Sequence, residues 1–519
     1  MPSAKNDCES CQAKKSNQKR IVHGPTAKQT PDCSMGEYLL QHMRNNRNYV
    51  VYVSVSLTDK YIRTGDLMRD SIKLATALTA RGIKIGDRVT VMSENRLNWM
   101  IPACATIFVG GIFAPLNPKL EMRYLGEVTR MLQLYKPSIV FASRRCEKLL
   151  VQIAPKLSWK LEIIELDDEP ITSGLATLTQ LLQSHDNVDP ELYIPAKIKD
   201  PSKQPVAILA SSGTTGLPKG AHCFRFLSRL PSLVDIRRND KLLLFLPMYH
   251  GYGFGMMLAM IVYGSTAVLS RSFNGHDFLK HVPKYKITHL ALVPPVFVFL
   301  AKEPSVVNYD FSSIRQIVCG ALSVVSHMTA LGRENFESVG PPLPGFLTKV
   351  IDPTTGEMLG PGQAGELCCK GKQVMMGYWE NEAETANTID REGWLHTGDL
   401  CYFDENDQFY IVGRLKELIK YKAYQVSPVE LETVLLSHPA VKDAAVVGKP
   451  DQVAGELPTA FVVKQPNANP TADEIAKFVN EKVSSQKWLR GGVKFIQSIP
   501  KNPTGKILRK ELVALTSKL

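Results

Sequence analysis

Residues 211–220 read Ser211-Ser-Gly-Thr-Thr-Gly-Leu-Pro-Lys219-Gly220, directly after the apolar run Val206–Ala210. No other stretch limits the fold of this chain as sharply. Glycines let backbone N–H groups close on an anion, Ser and Thr hydroxyls add donors, and a lysine adds a point charge. Placed after a strand, such a string predicts a loop that cradles phosphate at the strand's end. It is not a Walker A loop, because no Gly-Lys-[Ser/Thr] follows at the required spacing. A generic turn is the plainer alternative, and the density of donors argues against it.

The surrounding chain alternates strand and helix signals. The periodicity predicts a helix over 70–81, with Ile72, Leu74, Ala75 and Leu78 on one face, and Gly82 and Gly86 after it. Arg88–Met92 reads as a short strand. Similar apolar strands are expected at Ser138–Phe141, Val206–Ala210, Leu242–Leu246 and Thr288–Val293. Helix-length stretches between most of them predict an α/β fold with a largely parallel sheet. From Gly413 the character changes. Helices are expected at Pro428–Ser437 and Pro470–Ser484, the second entered through Thr471-Ala-Asp473-Glu474, and paired strands at Ala444–Gly448 and Ala460–Lys464. The reading is a large multi-sheet α/β N-terminal domain, residues 21–412, and a smaller mobile α+β C-terminal domain, residues 413–519. Residues 1–20 form a polar, lysine-containing tail, expected to be disordered.

Composition narrows the function. With 44% apolar and 22% charged residues, a chain of 519 residues can bury a substantial core, which excludes collagen-like and low-complexity classes. The net charge is +12, and residues 413–519 carry 17 Lys and Arg against 10 Asp and Glu, so +7 of it lies there. A basic balance without a reading motif does not make a nucleic-acid protein. Ten cysteines are too few for a disulfide scaffold, and Cys8 and Cys11 have no second ligand pair nearby for zinc, so the cysteines are read as free thiols. No secretory apolar core is seen at the start of the chain. Trp99–Leu116 is apolar but holds Pro102 and Gly110-Gly111, and is read as a buried core element rather than a membrane span. Ser517-Lys518-Leu519 has the form of a peroxisomal import signal, which implies an import receptor as partner.

Further segments follow in order: Pro247-Met-Tyr-His250-Gly-Tyr-Gly253-Phe254, Trp394-Leu-His-Thr-Gly-Asp399-Leu, Gly413-Arg414-Leu-Lys416-Glu-Leu-Ile-Lys420 and Pro503-Thr-Gly-Lys506. Together with the 211–220 loop they resemble the adenylate-forming superfamily, which holds acyl-CoA synthetases, 4-coumarate-CoA ligases and beetle luciferases. The resemblance runs from about Ile21 to Leu519. It implies a carboxylate adenylated by ATP with Mg²⁺, then transferred to a thiol, usually that of CoA. It places Ser211, Ser212, Gly213, Thr214, Thr215, Gly216 and Lys219 on the polyphosphate, and Gly320 and Ala321 beside adenine. It puts Asp399 on the ribose hydroxyls and makes Arg414 a support for the nucleotide. Lys416 would be the hinge, with Lys420 and Lys422 in the same nucleotide- and thiol-handling segment. Lys506 would reach the α-phosphate and carboxylate oxygens. His250 would gate the acyl carboxylate, the plainer alternative being a core histidine. Tyr252 and Phe254 would line an acyl pocket or simply pack the core.

Three departures from the family pattern stand out. The family places a Tyr-Gly-x-Thr-Glu motif after the adenine segment, its glutamate helping to hold Mg²⁺. Between Ala321 and Val339 this chain has no such motif, and Tyr263-Gly-Ser-Thr266 precedes the adenine segment and ends in Ala267. No metal ligand is therefore assigned. A helix and a strand of the pattern are missing, so a sheet edge and apolar surface should be left uncovered. The stretch Ala221–Asp240 is shorter than usual. Ala423 stands where the Lys422-x-Tyr424 segment usually has glycine, which narrows the way in for a pantetheine arm.

Overall fold

The computed structural model describes residues 20–26, 33–56, 59–119, 125–211, 219–223, 236–319, 327, 338–422, 424–502 and 505–516. The chain forms two compact units, one of residues 26–325 with 372–389, the other of residues 1–25, 326–371 and 390–519. The expected division after residue 412 falls inside the second unit. The chain first leaves the first unit at residue 325, within the stretch where the family motif is missing.

The first unit holds two sheets. One runs in the order Lys219–Cys223, Ala207–Ser211, Ile112–Phe113, Arg88–Met92, Ile139–Ala142, Glu162–Glu165, Ala176–Thr177. Only its first pair is antiparallel. The other runs Gln316–Cys319, His289–Leu292, Lys241–Leu244, Thr266–Leu269, Val50–Ser54, Tyr61–Arg63, antiparallel only in its last pair. The five strands expected in this unit all form, within a residue or two of their predicted ends. Parallel strands buried on both faces carry continuous apolar runs, and Ile139–Ala142 and His289–Leu292 are buried at every residue.

Trp99–Leu116 becomes the helix Met100–Phe108, buried throughout, and the strand Ile112–Phe113. The apolar helix Gly251–Tyr263 touches both sheets. Its Phe254 ring packs 5.2 Å from Phe113, and the carbonyl of Met257 accepts a hydrogen bond from the Tyr52 hydroxyl at 3.3 Å. A helix apolar all round belongs in such a buried layer. Among the described residues no helix is long and apolar enough to cross a membrane. The helix predicted over 70–81 spans Thr64–Ala80. Its apolar face continues N-terminally through Leu67 and Met68, both buried.

The second sheet ends at Gln316–Cys319, which among the described residues pairs only with His289–Leu292. Ile317 on that strand is 45% exposed.

The second unit carries an antiparallel sheet not foreseen in the sequence, in the order Val22–His23, Phe346–Ile351, Gly365–Gly371, Leu395–Phe403, Phe409–Arg414. Its strands are half polar, and their separation of many residues hides the pairing. The C-terminal sheet holds Tyr424–Val426, Ile419–Tyr421, Gly455–Lys464 and Val441–Asp451, with Val493–Phe495 alongside Gly455–Lys464. Ala444 pairs with Val462 and Val446 with Ala460. Helices Pro428–Leu436 and Ala472–Asn480 pack on it, burying Leu431, Leu435, Ile475 and Val479 against Val446 and Val462. The second helix starts with the expected capping box, Thr471 with Glu474.

Candidate active site

In the first unit the phosphate-loop sequence sits at a hairpin. Ser211 ends one strand, Lys219 begins the next, and the two residues are direct partners in the antiparallel ladder. Ser212, Gly213, Thr214, Thr215 and Gly216 lie outside the described residues. The hairpin lies at the C-terminal end of Ala207–Ser211, the edge at which parallel sheets bind ligands. Gly320 and Ala321, also outside the described residues, follow the C-terminal end of Gln316–Cys319 in the second sheet.

His250 caps the N-terminus of Gly251–Tyr263, its Nδ1 accepting from the Tyr252 N–H at 3.3 Å. Burial lowers its pKa, so the ring is a neutral acceptor. Gly253 is required here, because a Cβ would lie 2.2 Å from the carbonyl oxygen of Pro247. Buried Asn95 fixes the segment before His250. Its Nδ2 donates to the carbonyls of Leu246 and Ser270, and its Oδ1 accepts from Met248 N–H at 2.9 Å. The sequence gives no sign of this tie, which joins the loop after Arg88–Met92 to the ends of two strands in the other sheet. Phe254 is fully buried against Trp99 and Phe113, so it packs the core. Tyr252 is also buried, and its hydroxyl donates to the carbonyl of Val318 at 2.9 Å. Tyr249 is different. Its hydroxyl is buried without a hydrogen-bond partner among the described residues, and burial raises its pKa. An unsatisfied buried hydroxyl is costly.

In the second unit four sequence-distant segments converge. Asp399 and Arg414 are direct ladder partners on adjacent strands, and Arg414 Nε lies 2.9 Å from Asp399 Oδ1. Burial raises the pKa of Asp399, and Arg414 opposes the shift. Lys506 follows Gly505, whose φ of +81° bends the loop, and its N–H donates to Asn502 Oδ1 at 2.8 Å. The Lys506 ammonium lies 3.7 Å from Glu417. Burial, then the charge of Arg414, lowers the pKa of Lys506. The ammonium is thus partly dehydrated and stands beside an arginine.

Three residues the sequence reading passed over complete the cluster. Arg509 donates to Glu417 at 2.9 Å, to both oxygens of Glu432 at 2.5 and 3.1 Å, and to the carbonyl of Val446 at 2.7 Å. Glu417 thus joins Arg509 to Lys506. Glu417 stands inside the hinge string and Arg509 three residues after Lys506, but nothing in the sequence marks that they meet.

Lys416 lies in the short 3₁₀ turn Leu415–Glu417 and is exposed. Lys420 and Lys422 are exposed on or beside the strand Ile419–Tyr421. Lys422 adopts φ +51°, and its N–H donates to the Ala454 carbonyl at 2.7 Å. Ala423, Pro503, Thr504 and Ser517-Lys518-Leu519 lie outside the described residues, as do Cys8 and Cys11. Cys104, Cys146, Cys368 and Cys401 are free thiols.

Mg²⁺ does not fit the carboxylates gathered here. Asp399 is paired to Arg414, and Glu417 to Arg509 and Lys506. Neither offers an open oxygen donor set.

The chain matches the profile of AMP-binding enzymes over residues 40–330 and 321–379, and that of the AMP-binding enzyme C-terminal domain over residues 430–506. The first match comes in two stretches that meet at residues 321–330. The chain is 34% identical to luciferin 4-monooxygenase of Photinus pyralis over 518 residues, covering 92% of this chain and 93% of that one. It is 31% identical to peroxisomal OPC-8:0-CoA ligase 1 of Arabidopsis thaliana over 518 residues, covering 91% of each. ATP-bound MatB from Rhodopseudomonas palustris shares the fold with a TM-score of 0.81 at 24% identity, covering 92% of this chain and 98% of that one.

Proposed function

The chain belongs to the AMP-binding family of adenylate-forming enzymes, and from that premise we propose that it is built as an ATP-dependent acyl-CoA synthetase. In the first half-reaction a carboxylate oxygen attacks the α-phosphorus of ATP, and pyrophosphate leaves. In the second, a CoA thiol attacks the acyl carbon, and AMP leaves with the bonding electrons of the mixed anhydride. The transferring phosphoryl group concentrates negative charge, so positioning and cationic donors carry the catalysis.

The observation that carries the reading is the convergence of Asp399, Arg414 and Lys506 in one cluster. Asp399 offers acceptors to two ribose hydroxyls. Arg414 aligns that carboxylate and adds positive charge toward the nucleotide. Lys506 meets the α-phosphate and the attacking carboxylate. Ser211, Ser212, Gly213, Thr214, Thr215, Gly216 and Lys219 hold the polyphosphate, and Gly320 and Ala321 flank adenine. His250, neutral by burial, stands at the acyl carboxylate. The segment 413–519 turns about Lys416 between half-reactions, bringing Lys422 and its neighbours to the thiol. The substrate is a medium or long fatty acid or an aryl-alkenoic acid, and peroxisomal import follows from Ser517-Lys518-Leu519. The peroxisomal relative supports that placement, and a reporter fused ahead of the last three residues tests it.

A second reading rests on the missing Tyr-Gly-x-Thr-Glu segment. In it the chain binds ATP and carboxylate but adenylates weakly or not at all, and a longer isoform carries the activity. The split family match favours it. Luciferin oxidation is a third outcome, which Lys420 does not distinguish and which light emission with luciferin, ATP and O₂ would reveal.

Carboxylate-dependent ATP–pyrophosphate exchange on the purified chain, with a panel of fatty and aryl acids, tests the first two. Exchange above background supports synthesis and names the acid. Absence of exchange from a folded protein that binds ATP supports the second reading.

A further inference from the structure

The strand Leu395–Phe403 does not pair evenly with Gly365–Gly371. Glu366 faces Leu400, and Cys368 faces His396, so the single residue Leu367 on one strand opposes three on the other. Those three are Thr397, Gly398 and Asp399, with Gly398 at φ +71°. A bulge of this kind takes backbone groups out of the ladder and re-aims a side chain. Here the re-aimed side chain is Asp399.

The groups freed by the bulge are taken up by one carboxylate. Glu366 Oε1 accepts from Gly398 N–H at 3.1 Å, and Glu366 Oε2 accepts from His396 Nδ1 at 3.0 Å. The Glu366 side chain is 12% exposed. Asp390 lies on the other side of the His396 ring, 3.6 Å from Nε2. Thr397 closes the turn, its hydroxyl donating to the Leu367 carbonyl at 2.8 Å and accepting from Asp399 N–H at 3.0 Å. Cys368 Sγ lies 3.6 Å from His396 Nδ1. Glu366, Cys368 and His396 hold their donor atoms within 4.8 Å of one another, a spacing a cation could span. Yet Glu366 and His396 are already bonded to protein groups, so the cluster acts as a strap.

We propose that Glu366 is a positioning residue that holds the 396–399 bulge, and through it sets the orientation of the Asp399 carboxylate toward ribose. This rests on the assignment of Asp399 to the nucleotide made above. The strap is rigid because a buried carboxylate accepting two hydrogen bonds has a single comfortable geometry. Without it the Gly398 N–H has no partner in the sheet, and the left-handed glycine is free to relax.

Two measurements on Glu366→Ala and Glu366→Gln test the proposal. The first is hydrogen exchange of the peptide covering residues 395–403. Exchange should quicken in Glu366→Ala, with the Val441–Asp451 strand unchanged, and should be partly restored in Glu366→Gln, which keeps an acceptor for Gly398. The second is equilibrium binding of ATP and of 2′,3′-dideoxy-ATP. Glu366→Ala should weaken ATP about tenfold, the worth of a well-placed charge-assisted hydrogen bond, and leave dideoxy-ATP unchanged. Unaltered exchange at 395–403 would overturn the proposal. So would equal losses for the two nucleotides, which would mean general damage. If the wild-type chain binds both nucleotides alike, the ribose assignment of Asp399 fails, while the exchange data still decide whether Glu366 straps the bulge.

Discussion

Replacing Arg509 with methionine removes a guanidinium that is 16% exposed and bonded to two carboxylates and a carbonyl. Methionine fills similar volume, so the loss is mainly electrostatic. Glu432, 10% exposed, keeps only its bond from the Val446 N–H, at 2.8 Å. Glu417 keeps Lys506 at 3.7 Å. Breaking one side of a buried pair costs about 3–5 kcal/mol, because the partner charge stays buried without compensation. Native-state hydrogen exchange of the strand Val441–Asp451 reads that cost locally, as a roughly hundred- to several-thousand-fold acceleration. Neutralising the stranded carboxylates should reverse much of it. The triple variant Arg509→Met, Glu432→Gln, Glu417→Gln should recover most of the protection. An acceleration below tenfold in the single variant, or a triple variant no better than the single, would refute the reasoning. The function should follow a different path. Arg509 helps to lower the pKa of Lys506, so its loss should raise that pKa and move the alkaline limb of adenylation upward.

Other outcomes are as specific. The pKa of Glu165 is pushed up to about 8 by burial, with Glu147 adding to the rise, against an ordinary value of 4.5. The folded chain keeps that proton where the unfolded chain releases it, so stability falls as pH rises from about 4.5 to about 8, by at most about 1.4 kcal/mol per pH unit. Glu165→Gln stays neutral and should gain in melting temperature over wild type across that window, whereas parallel pH curves would exclude the effect. Phe254→Ala should destabilise the first unit by about 3–5 kcal/mol in a denaturant titration, as a fully buried aromatic should. A raised acyl KM with little loss of stability would return Phe254 to the acyl pocket. Ala423→Gly should raise thioester formation without changing adenylation, and an unchanged ratio of the two rates would remove Ala423 as an obstacle to the thiol.

The element pattern was largely legible because it is local. The alternating runs at Arg88–Met92, Val206–Ala210 and Thr288–Val293 announce buried parallel strands by their apolar continuity, and Thr471 with Glu474 announces a helix start by a bond that spans three residues. The strings that carry the family resemblance were legible for the same reason, since Ser211–Gly220, Trp394–Leu400 and Pro503–Lys506 are each short and continuous. The antiparallel sheet of Phe346–Ile351, Gly365–Gly371 and Leu395–Phe403 was not legible, because its strands are half polar and meet only through pairing.

What the residues alone determined was which groups could bind an anion, and where the apolar strands and amphipathic helices would form. Which charges face one another was decided by the tertiary structure. Glu366 reaches Gly398 from another strand 32 residues away in sequence. Arg509 is 92 residues from Glu417 and 77 from Glu432. Asn95 fixes Met248 across 153 residues. The strength of each contact comes from burial, which lowers the dielectric around it and forces every polar group to find a partner. The burial of these polar groups is a property of the packed sheets, and the local strings that hold them do not record it.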